Sequence, residues 1–458
     1  MRNVPTIRVA QMTSWLFVLV IATFASGMAH AAGASVGNCH VGAYRLGDGS
    51  VVDVGPSEGA HLRWRRDDGT TGQLMSQADG TWTSTLGWTD KPDGIKVTFS
   101  DCAQGRIDFG GKRGQRIVFD VTNTHFKGAG GVMLAGRLVL PKGNERVPIV
   151  VLIHGSEHES ALDYYSLQRM FPAAGIGVFV YDKRGTGASS GQYTQQYLVL
   201  ADDAIAAVNE AKRLAGKRAS RIGYQGGSQG GWVAPLAAKI SPVDFVIVGF
   251  GLAVSPLDED REAIAYDMQR QGYGPDVMAK AMQVADASAA ILLSDFRSGY
   301  DKLDAVKQKY GKEPWFKHVH GDITWALLAW PAEKLKQEGP ILFAGVPVQY
   351  DPMPVLRNLD TPQLWILGGE DADAPSAETI KRLRGLQQAG RPITLAVYPH
   401  AEHGMYEFET KPDGTRVDTR NPEGYFAMMC DFILSGKVQG KYGNAVLHDV
   451  GSPGQSKD

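Results

Sequence analysis

The chain has little of what marks a disulfide framework, a polyanion-binding protein or a membrane protein. Its 458 residues include only 3 cysteines, too few for a small fold built around disulfides. The 47 basic and 49 acidic side chains nearly cancel and form no basic block, so no nucleic-acid partner is expected. After residue 31 no apolar run is long enough to span a bilayer. These absences leave a globular protein of one large domain with additions, or of two domains.

The first residues differ in composition from the rest of the chain. Arg2 and Arg8 precede an apolar run at 15–24, and a small-x-small cleavage motif ends at Ala31. The run is shorter than the ~20 residues that a membrane span needs. We therefore expect residues 1–31 to be a cleaved signal peptide, the mature protein to be exported to a periplasm or the medium, and no stable membrane span to remain.

Export would permit disulfides. Cys39 and Cys102 flank a β-rich segment with a small core, which favours a bridge between them. Cys430 would be left unpaired in a helical stretch near the C-terminus.

Composition and periodicity divide the mature chain into consecutive segments. Residues 32–125 have turn signals between short β-branched and aromatic runs, typical of a small module of antiparallel strands. In 126–254 and 346–437, apolar strands alternate with helices, which predicts an α/β class fold with a doubly wound, mostly parallel sheet. Residues 255–345 interrupt this pattern as a helical cap insertion, and 438–458 form a polar tail.

The sequence has two G-x-S-x-G matches, and their context separates them. Ser228, within 226–230, follows a short strand and precedes a helix, so the helix N-terminus would lie beneath its hydroxyl. Ser189 follows the polar, glycine-rich loop 182–187 and precedes no helix, so it is interpreted as a loop serine. Pro235 should kink or shorten the helix after Ser228.

A nucleophilic serine needs a base, and the base needs an acid to orient it. His403 follows a late strand and is the first choice, with His400 second. Asp371 follows the strand before it and is the preferred acid, with Asp373 as the alternative. Each aspartate could instead cap a turn.

The developing oxyanion needs two N–H donors. One would be the N–H of Gln229, the residue after Ser228. The other would come from the loop after the first central strand, where Ser156 is the best donor and Glu157 is its neighbour. The alternative interpretation of residues 154–155 is an ordinary turn after a strand, with no role in binding an oxyanion.

The order Ser228, Asp371, His403 resembles that of the α/β-hydrolase superfamily. The stretch 182–189 is similar to its D-x-R-G-x-G-x-S loop, and 226–231 is similar to the nucleophile elbow of the prolyl oligopeptidase-like and dipeptidyl aminopeptidase-like branches. The resemblance implies an α/β-hydrolase fold and acyl transfer to water through an acyl-enzyme, with no cofactor and no metal. It does not explain the N-terminal module.

Two other functional classes are alternatives to a serine hydrolase. His318, His320 and Asp322 form an H-x-H-x-D match to a metallohydrolase motif, but Ile323 stands where a histidine ligand is needed and the motif lies in the cap. A non-catalytic binding protein on the same fold is a second alternative, since fold does not fix function.

Among enzymes, an exported serine hydrolase that cleaves a carboxylic ester is favoured, with a serine aminopeptidase or amidase as the alternative. The expected substrate is a small-molecule ester or a short peptide. The cap supplies an acidic cluster and three tryptophans: Asp258, Glu259, Asp260, Glu262, Trp315, Trp325 and Trp330. The acids could recognise a free amino terminus, or cap a helix and face solvent. The tryptophans could bind an apolar acyl group, or simply pack within the cap.

Overall fold

The computed structural model describes residues 38–448. The predicted signal peptide, 1–31, and the last residues of the predicted tail lie outside the described residues. Within the described range, no helix is both long and apolar enough to cross a membrane.

The N-terminal module is a closed antiparallel barrel. Its strands are β1 (Gly42–Leu46), β2 (Val51–Pro56), β3 (Leu62–Arg66), β4 (Thr71–Ser76), β5 (Trp82–Leu86), β6 (Pro92–Phe99), β7 (Arg106–Phe109) and β8 (Lys112–Arg116). The first and last strands close it through pairs such as Tyr44 with Arg116. Side chains from alternating strand positions, among them Trp64, Leu74 and Phe109, fill the interior. Cys39 is bridged to Cys102, as the sequence predicts.

The predicted boundary at residue 125 is wrong. The barrel ends at Arg116, and β9 (Phe119–Lys127) pairs along its whole length with β10 (Met133–Pro141) in the central sheet. Most of β9 is exposed, and Phe126 is its one buried residue. A polar edge strand has the same pattern as the barrel strands before it, so composition alone does not separate them.

The central sheet has the mixed, mostly parallel order expected of the α/β fold. Its core strands are β11 (Val147–Ile153), β12 (Gly177–Tyr181), β13 (Ala219–Gly227), β14 (Phe245–Gly249), β15 (Gln363–Gly368) and β16 (Ile393–Tyr398). Their spatial order is β16-β15-β14-β13-β11-β12, and all of these neighbours are parallel. The antiparallel strands β10 and β9 extend the sheet beyond β12.

Both faces of this sheet are covered. The helices that follow β11, β12 and β13 are α1 (Ala161–Tyr164), α2 (Leu167–Ala173), α3 (Tyr197–Ala215) and α4 (Gly230–Ile240). Ile149 and Val151 of β11 pack with α3 and α4, whereas Val150 and Leu152 pack on the opposite face with α2. This alternation explains why the strand is apolar at every position. Pro235 is buried inside α4, which continues to Ile240, so the predicted shortening is wrong.

The segment predicted as a cap is helical and is inserted between β14 and β15. Its helices are α5 (Pro256–Arg270), α6 (Pro275–Leu293), α7 (Tyr300–Tyr310), α8 (Thr324–Ala329) and α9 (Ala332–Leu342). Ser255 caps α5 by accepting a hydrogen bond from the Asp258 N–H. Asp260 on α5 accepts hydrogen bonds from the Ile323 and Thr324 N–H groups, which ties α5 to α8.

The C-terminal part completes the sheet and adds a small second one. After the cap come α10 (Met353–Leu356) and α11 (Ala377–Gln388), and the chain after β16 forms β17 (Ala401–Glu402), β18 (Tyr406–Thr410), β19 (Arg416–Arg420), α12 (Tyr425–Ser435) and β20 (Val446–His448). Strands β17, β18 and β19 form a separate antiparallel sheet. The tail prediction is wrong at 446–448, because β20 pairs with β16 as an edge of the nine-stranded sheet.

Candidate active site

Ser228 occupies the sharp turn between β13 and α4. Its φ of +50° lies in the left-handed region, which costs a non-glycine residue energy. The Ser228 N–H donates to the Gly249 carbonyl at 3.2 Å, which holds the turn against β14. A Cβ on Gly226 would lie 2.5 Å from the Gly230 carbonyl oxygen, so glycine is required where strand and helix meet. The arrangement is that of a nucleophile elbow.

The structure brings His403 and Asp371 to this turn. His403 Nε2 lies 3.2 Å from Ser228 Oγ, and His403 Nδ1 lies 3.0 Å from Asp371 Oδ2. Asp371 is buried, and its other oxygen, Oδ1, accepts a hydrogen bond from the Ala374 N–H at 2.8 Å. The aspartate therefore caps its own turn and also contacts the imidazole. These are the distances at which a base could take the serine proton and an acid could orient the base.

The second choices of the sequence analysis lie elsewhere. His400 is mostly exposed, and its Nδ1 lies 3.1 Å from Glu370 Oε1. Asp373 is close enough to His403 to act on it electrostatically, but Asp371 makes the hydrogen bond. The geometry therefore joins Asp371, His403 and Ser228 in one chain of hydrogen bonds.

The hairpin formed by β18 and β19 supports the loops that carry His403 and Asp371. Arg416 on β19 donates to the Glu370 carbonyl at 2.6 Å, directly before Asp371. Asn421 Nδ2 donates to the Met405 carbonyl at 2.7 Å, two residues after His403. The sequence predicts no strands in 404–424, so this hairpin is a difference between the expectation and the structure.

Gln229 and Ser156 lie on the two chain segments that meet at the nucleophile elbow. Gln229 precedes the first residue of α4, and Ser156 follows β11. Within the described part of the chain, neither backbone N–H donates to another protein group. A Cβ on Gly155 would lie 3.7 Å from the Gly227 carbonyl, so the Ser156 loop runs beside the elbow. Both N–H groups are therefore available as donors next to Ser228.

Ser189, the serine of the other G-x-S-x-G match, makes hydrogen bonds that hold a loop in place. Its Oγ donates to the Asp182 carbonyl at 2.6 Å and accepts from the Ala135 N–H at 2.9 Å. The first bond closes the 182–189 loop on itself, and the second fixes that loop to β10. A serine engaged in this way holds a loop in place and has no neighbouring base.

Acidic side chains surround the histidine. Asp322, before α8 in the cap, and Asp373 have surface in contact with solvent, but protein atoms surround their carboxylates closely enough to desolvate them. Glu259 on α5 is buried and interacts with both. Burial and the neighbouring carboxylates raise the pKa of Asp322 to about 7 and also raise the pKa of Glu259 and of Asp373. These groups form the acidic recess, defined here as Glu259, Asp322 and Asp373, between the cap and the core.

The same charges act on the proposed base. Burial lowers the pKa of His403, but the charges of Asp371, Asp373 and Asp322 outweigh burial. The pKa of His403 is therefore raised above the ordinary histidine value.

Two residues of the H-x-H-x-D match, His320 and Asp322, interact electrostatically with Asp373. The His318 ring lies 6.0 Å from the Tyr273 ring, whereas Asp322 faces His403. Within residues 38–448, one group of potential metal ligands lies close enough together to share an ion. It consists of Cys39, His40 and Cys102. The two sulfurs of that group are already bridged to each other.

The cap residues singled out in the sequence also divide by environment. Trp315 is buried in the interior of the cap, which matches ordinary packing, and Trp325 is partly exposed. Asp258 and Asp260 make hydrogen bonds within the cap, so among the acids singled out at its start Glu259 is the one that faces the recess. Sequence spacing does not predict which of these acids faces the recess, because that depends on how α5 packs on α8.

A family comparison matches part of this region. Residues 144–272 match the family described as "Serine aminopeptidase, S33". The match contains Ser156, Ser228 and Gln229 and ends before Asp371 and His403.

Individual proteins and structures are also similar. The thiohydrolase aneE of Aspergillus aculeatus is 25% identical over 257 residues, which cover 55% of this chain and 77% of that protein. An esterase of Pyrococcus furiosus is 16% identical, with 62% of this chain and 83% of that chain covered and a TM-score of 0.40. Brefeldin A esterase is 19% identical, covering 63% and 70%, with a TM-score of 0.38. The acylaminoacyl peptidase of Pyrococcus horikoshii is 14% identical, covering 77% and 52%, with a TM-score of 0.38.

Proposed function

We propose that the chain is a serine hydrolase of the α/β-hydrolase superfamily and that it cleaves carboxylic esters through an acyl-enzyme on Ser228. The observation that supports this most is the chain of hydrogen bonds from Ser228 through His403 to Asp371, at 3.2 and 3.0 Å. A serine hydroxyl is a weak nucleophile at neutral pH, and a base at this distance would make it an effective one.

In the proposed reaction, His403 Nε2 takes the proton from Ser228 Oγ as the oxygen attacks the ester carbonyl. Asp371 holds the imidazole by its Nδ1–H and stabilises the imidazolium. The Gln229 and Ser156 N–H groups stabilise the oxyanion of the tetrahedral intermediate. The imidazolium returns the proton to the leaving alkoxide, and the acyl group stays on Ser228. Water, deprotonated by His403, then attacks the acyl-enzyme and releases the carboxylic acid.

The acidic recess favours a second candidate, hydrolysis of amides whose acyl group bears an amine. Burial and mutual repulsion of the carboxylates raise the pKa values of Glu259, Asp322 and Asp373, although His403 opposes the rise at both aspartates. A protonated amino group bound there would supply a cation that offsets this repulsion. An aminopeptidase or amidase would use the same Ser228 chemistry.

A direct comparison of substrates separates the two candidates. We expect faster turnover (kcat/KM) of p-nitrophenyl acyl esters than of aminoacyl p-nitroanilides, because p-nitrophenolate is the better leaving group and the primary proposal is an esterase. Ser228→Ala serves as the zero-activity reference, and only turnover lost in that variant is counted. Faster cleavage of the anilides, allowing for the intrinsic reactivity of each substrate, would replace ester hydrolysis by the amidase candidate. Equal turnover by wild type and Ser228→Ala would leave a non-catalytic binding protein as the better account.

We also propose export, on the sequence of residues 1–31. The bridge between Cys39 and Cys102 supports this, since structural disulfides persist in oxidising compartments. Cell fractionation of the full-length chain, with N-terminal sequencing of the product, tests it. The expected product starts after Ala31 and is found outside the cytoplasm.

A further inference from the structure

Lys183 carries a buried charge beside the Ser156 loop. It occupies the open position of the D-x-R-G-x-G-x-S match, where the motif specifies no residue. Its side chain is 2% exposed, and its Nζ donates to the Gly155 carbonyl at 2.7 Å. A buried lysine without a paired carboxylate in direct contact is costly and needs a reason.

The carbonyl that Lys183 contacts belongs to the same peptide unit as the Ser156 N–H. That unit is planar and trans, so its C=O and its N–H point in opposite directions. By holding the Gly155 oxygen on one side, the ammonium directs the Ser156 N–H to the other side. The hydrogen bond is charge-assisted and draws electron density toward the oxygen, which makes the N–H of the same amide a stronger donor.

Neighbouring contacts hold the rest of this loop. The Tyr193 hydroxyl donates to the Ser156 carbonyl, and the Gly155 N–H donates to Glu157 Oε1 at 3.3 Å. The Tyr193 ring also lies 4.4 Å from Lys183 Nζ, in a cation–π contact. The peptide unit that carries the Ser156 N–H and the unit that follows it are therefore both held at their carbonyl oxygens. Lys183 supplies the positive charge at the first of these carbonyls.

We propose that Lys183 is a positioning residue that orients and polarises the Gly155–Ser156 peptide, so that its N–H stabilises the oxyanion formed at Ser228. This inference rests on the proposed hydrolase function. Lys183 itself touches no reacting atom and acts through the peptide.

The titration of the surrounding groups gives the inference a pH signature. Burial lowers the pKa of Lys183 to about 8, against the opposing charges of Glu157 and Glu159. Burial raises the pKa of Glu157, but His154 and Lys183 outweigh it and hold that pKa well below its usual range. Burial raises the pKa of Tyr193, as it does that of Tyr165, which contacts Glu157.

His158, stacked on the Tyr193 ring, has a lowered pKa because of burial and the charge of Lys183. His154 lies with its Nδ1 3.2 Å from Glu157 Oε1 on the far side of the loop. Among the groups here with shifted pKa values, Lys183 is the one that loses its charge near pH 8. Activity should therefore fall as the pH rises through about 8.

The test compares Lys183→Met and Lys183→Arg with the wild type, using the ester substrate. Lys183→Met should lower kcat by about 10- to 100-fold with KM changed by less than about twofold, because a donor is weakened and not removed. It should also abolish the loss of kcat near pH 8. Lys183→Arg, which keeps a charged donor, should retain more activity than Lys183→Met and should move the alkaline loss to higher pH.

Lys307→Met is the matched control. Lys307 is partly buried in the cap, its Nζ donates to the Leu327 carbonyl at 3.1 Å, and burial lowers its pKa too, but it lies away from Ser228. That variant should keep the wild-type kcat and pH profile.

The outcomes separate the inference from the proposed function. If turnover does not depend on Ser228, the proposed function fails first. If turnover depends on Ser228 but Lys183→Met keeps the wild-type kcat and its alkaline loss, the inference is overturned. Should Lys183→Met fail to fold, Lys183→Arg decides, because an alkaline loss of kcat at the same pH in that variant as in the wild type also contradicts the role of Lys183.

Discussion

On the histidine side of Ser228, carboxylates act on His403, whereas on the Ser156 side a buried ammonium, that of Lys183, contacts the peptide that carries the Ser156 N–H. Asp371, Asp373 and Asp322 raise the pKa of His403, and Lys183 Nζ holds the Gly155 carbonyl at 2.7 Å. In acyl transfer by a serine, positive charge develops on the imidazole and negative charge on the carbonyl oxygen. The three carboxylates that act on His403, and the Lys183 ammonium that holds the Gly155 carbonyl, therefore each have the sign opposite to the charge that would develop beside them.

The two sides also differ in what supports them. The histidine side depends on the β18–β19 hairpin, which in turn rests on the barrel: the Trp88 N–H donates to the Asp418 carbonyl at 2.9 Å, and the Trp88 ring lies 4.5 Å from that of Tyr406. The Ser156 side is held within the core, by Lys183 and Tyr193. The barrel therefore contacts the hairpin that supports the histidine side, and it also contacts α2 of the core through the Arg169–Asp53 ion pair.

The largest expected effect comes from removing the acid of the histidine side. Asp371→Asn should lower kcat by about 10⁴-fold, because an amide donates to His403 Nδ1 and favours the wrong tautomer. The asparagine Oδ1 can still accept from the Ala374 N–H, so the loop should keep its shape. Asp373→Asn is the control and should lose far less activity. A greater loss in Asp373→Asn, measured in the same ester assay, would move the role of the acid to Asp373.

A smaller effect should appear in the pH profile. Since carboxylates raise the pKa of His403, kcat/KM should rise with pH through an apparent pKa above the ordinary value of ~6.5. The double variant Asp322→Asn/Asp373→Asn removes negative charge that favours the imidazolium, so the acid limb should move to lower pH and relative activity at pH 6 should increase. Asp79→Asn, on an exposed barrel turn, should leave the limb in place. An unchanged acid limb in the double variant would mean that the recess does not act on His403.

The smallest effect should come from the barrel contact. Trp88→Ala removes the ring contact with Tyr406 and the Arg63 guanidinium at 4.0 Å, so the free energy of unfolding should fall by about 1–2 kcal/mol. We expect kcat to fall by less than about tenfold, through a looser histidine loop, with the alkaline loss near pH 8 unchanged. Trp330→Ala, which removes a tryptophan–lysine pair on the cap, serves as the comparison. Equal losses in urea stability and kcat for both variants would argue against a special role for the barrel.

The features that the sequence predicts well are local ones. The elbow at Ser228 was predictable because strand, turn and helix follow one another within a few residues, and its glycines are required by close backbone contacts. The parallel strands were predictable because a strand buried on both faces is apolar throughout. His403 and Asp371 each follow a strand, and parallel strands end at one edge of the sheet. Their positions therefore predict that both lie near Ser228.

The features that the sequence does not reveal depend on distant packing. Closure of the barrel requires Tyr44 to pair with Arg116, far along the chain, and β20 returns to β16 from beyond α12. Lys183 stands at an open motif position, and its importance emerges only when its Nζ meets the Gly155 carbonyl. Asp322 belongs to a local metal-like motif, yet the fold of the cap turns it toward His403.

The most direct measurement is the site of covalent labelling by a fluorophosphonate probe, located by mass spectrometry of the digested protein. A polarised site with Ser228 between His403 and the Ser156 loop predicts a single adduct on the peptide that contains Ser228, formed faster at pH 7.5 than at pH 5 because His403 must be neutral. No adduct on the peptide that contains Ser189 is expected, since its hydroxyl has no neighbouring base. A folded wild-type protein that forms no adduct at Ser228, or that is labelled at Ser189 instead, would contradict the account.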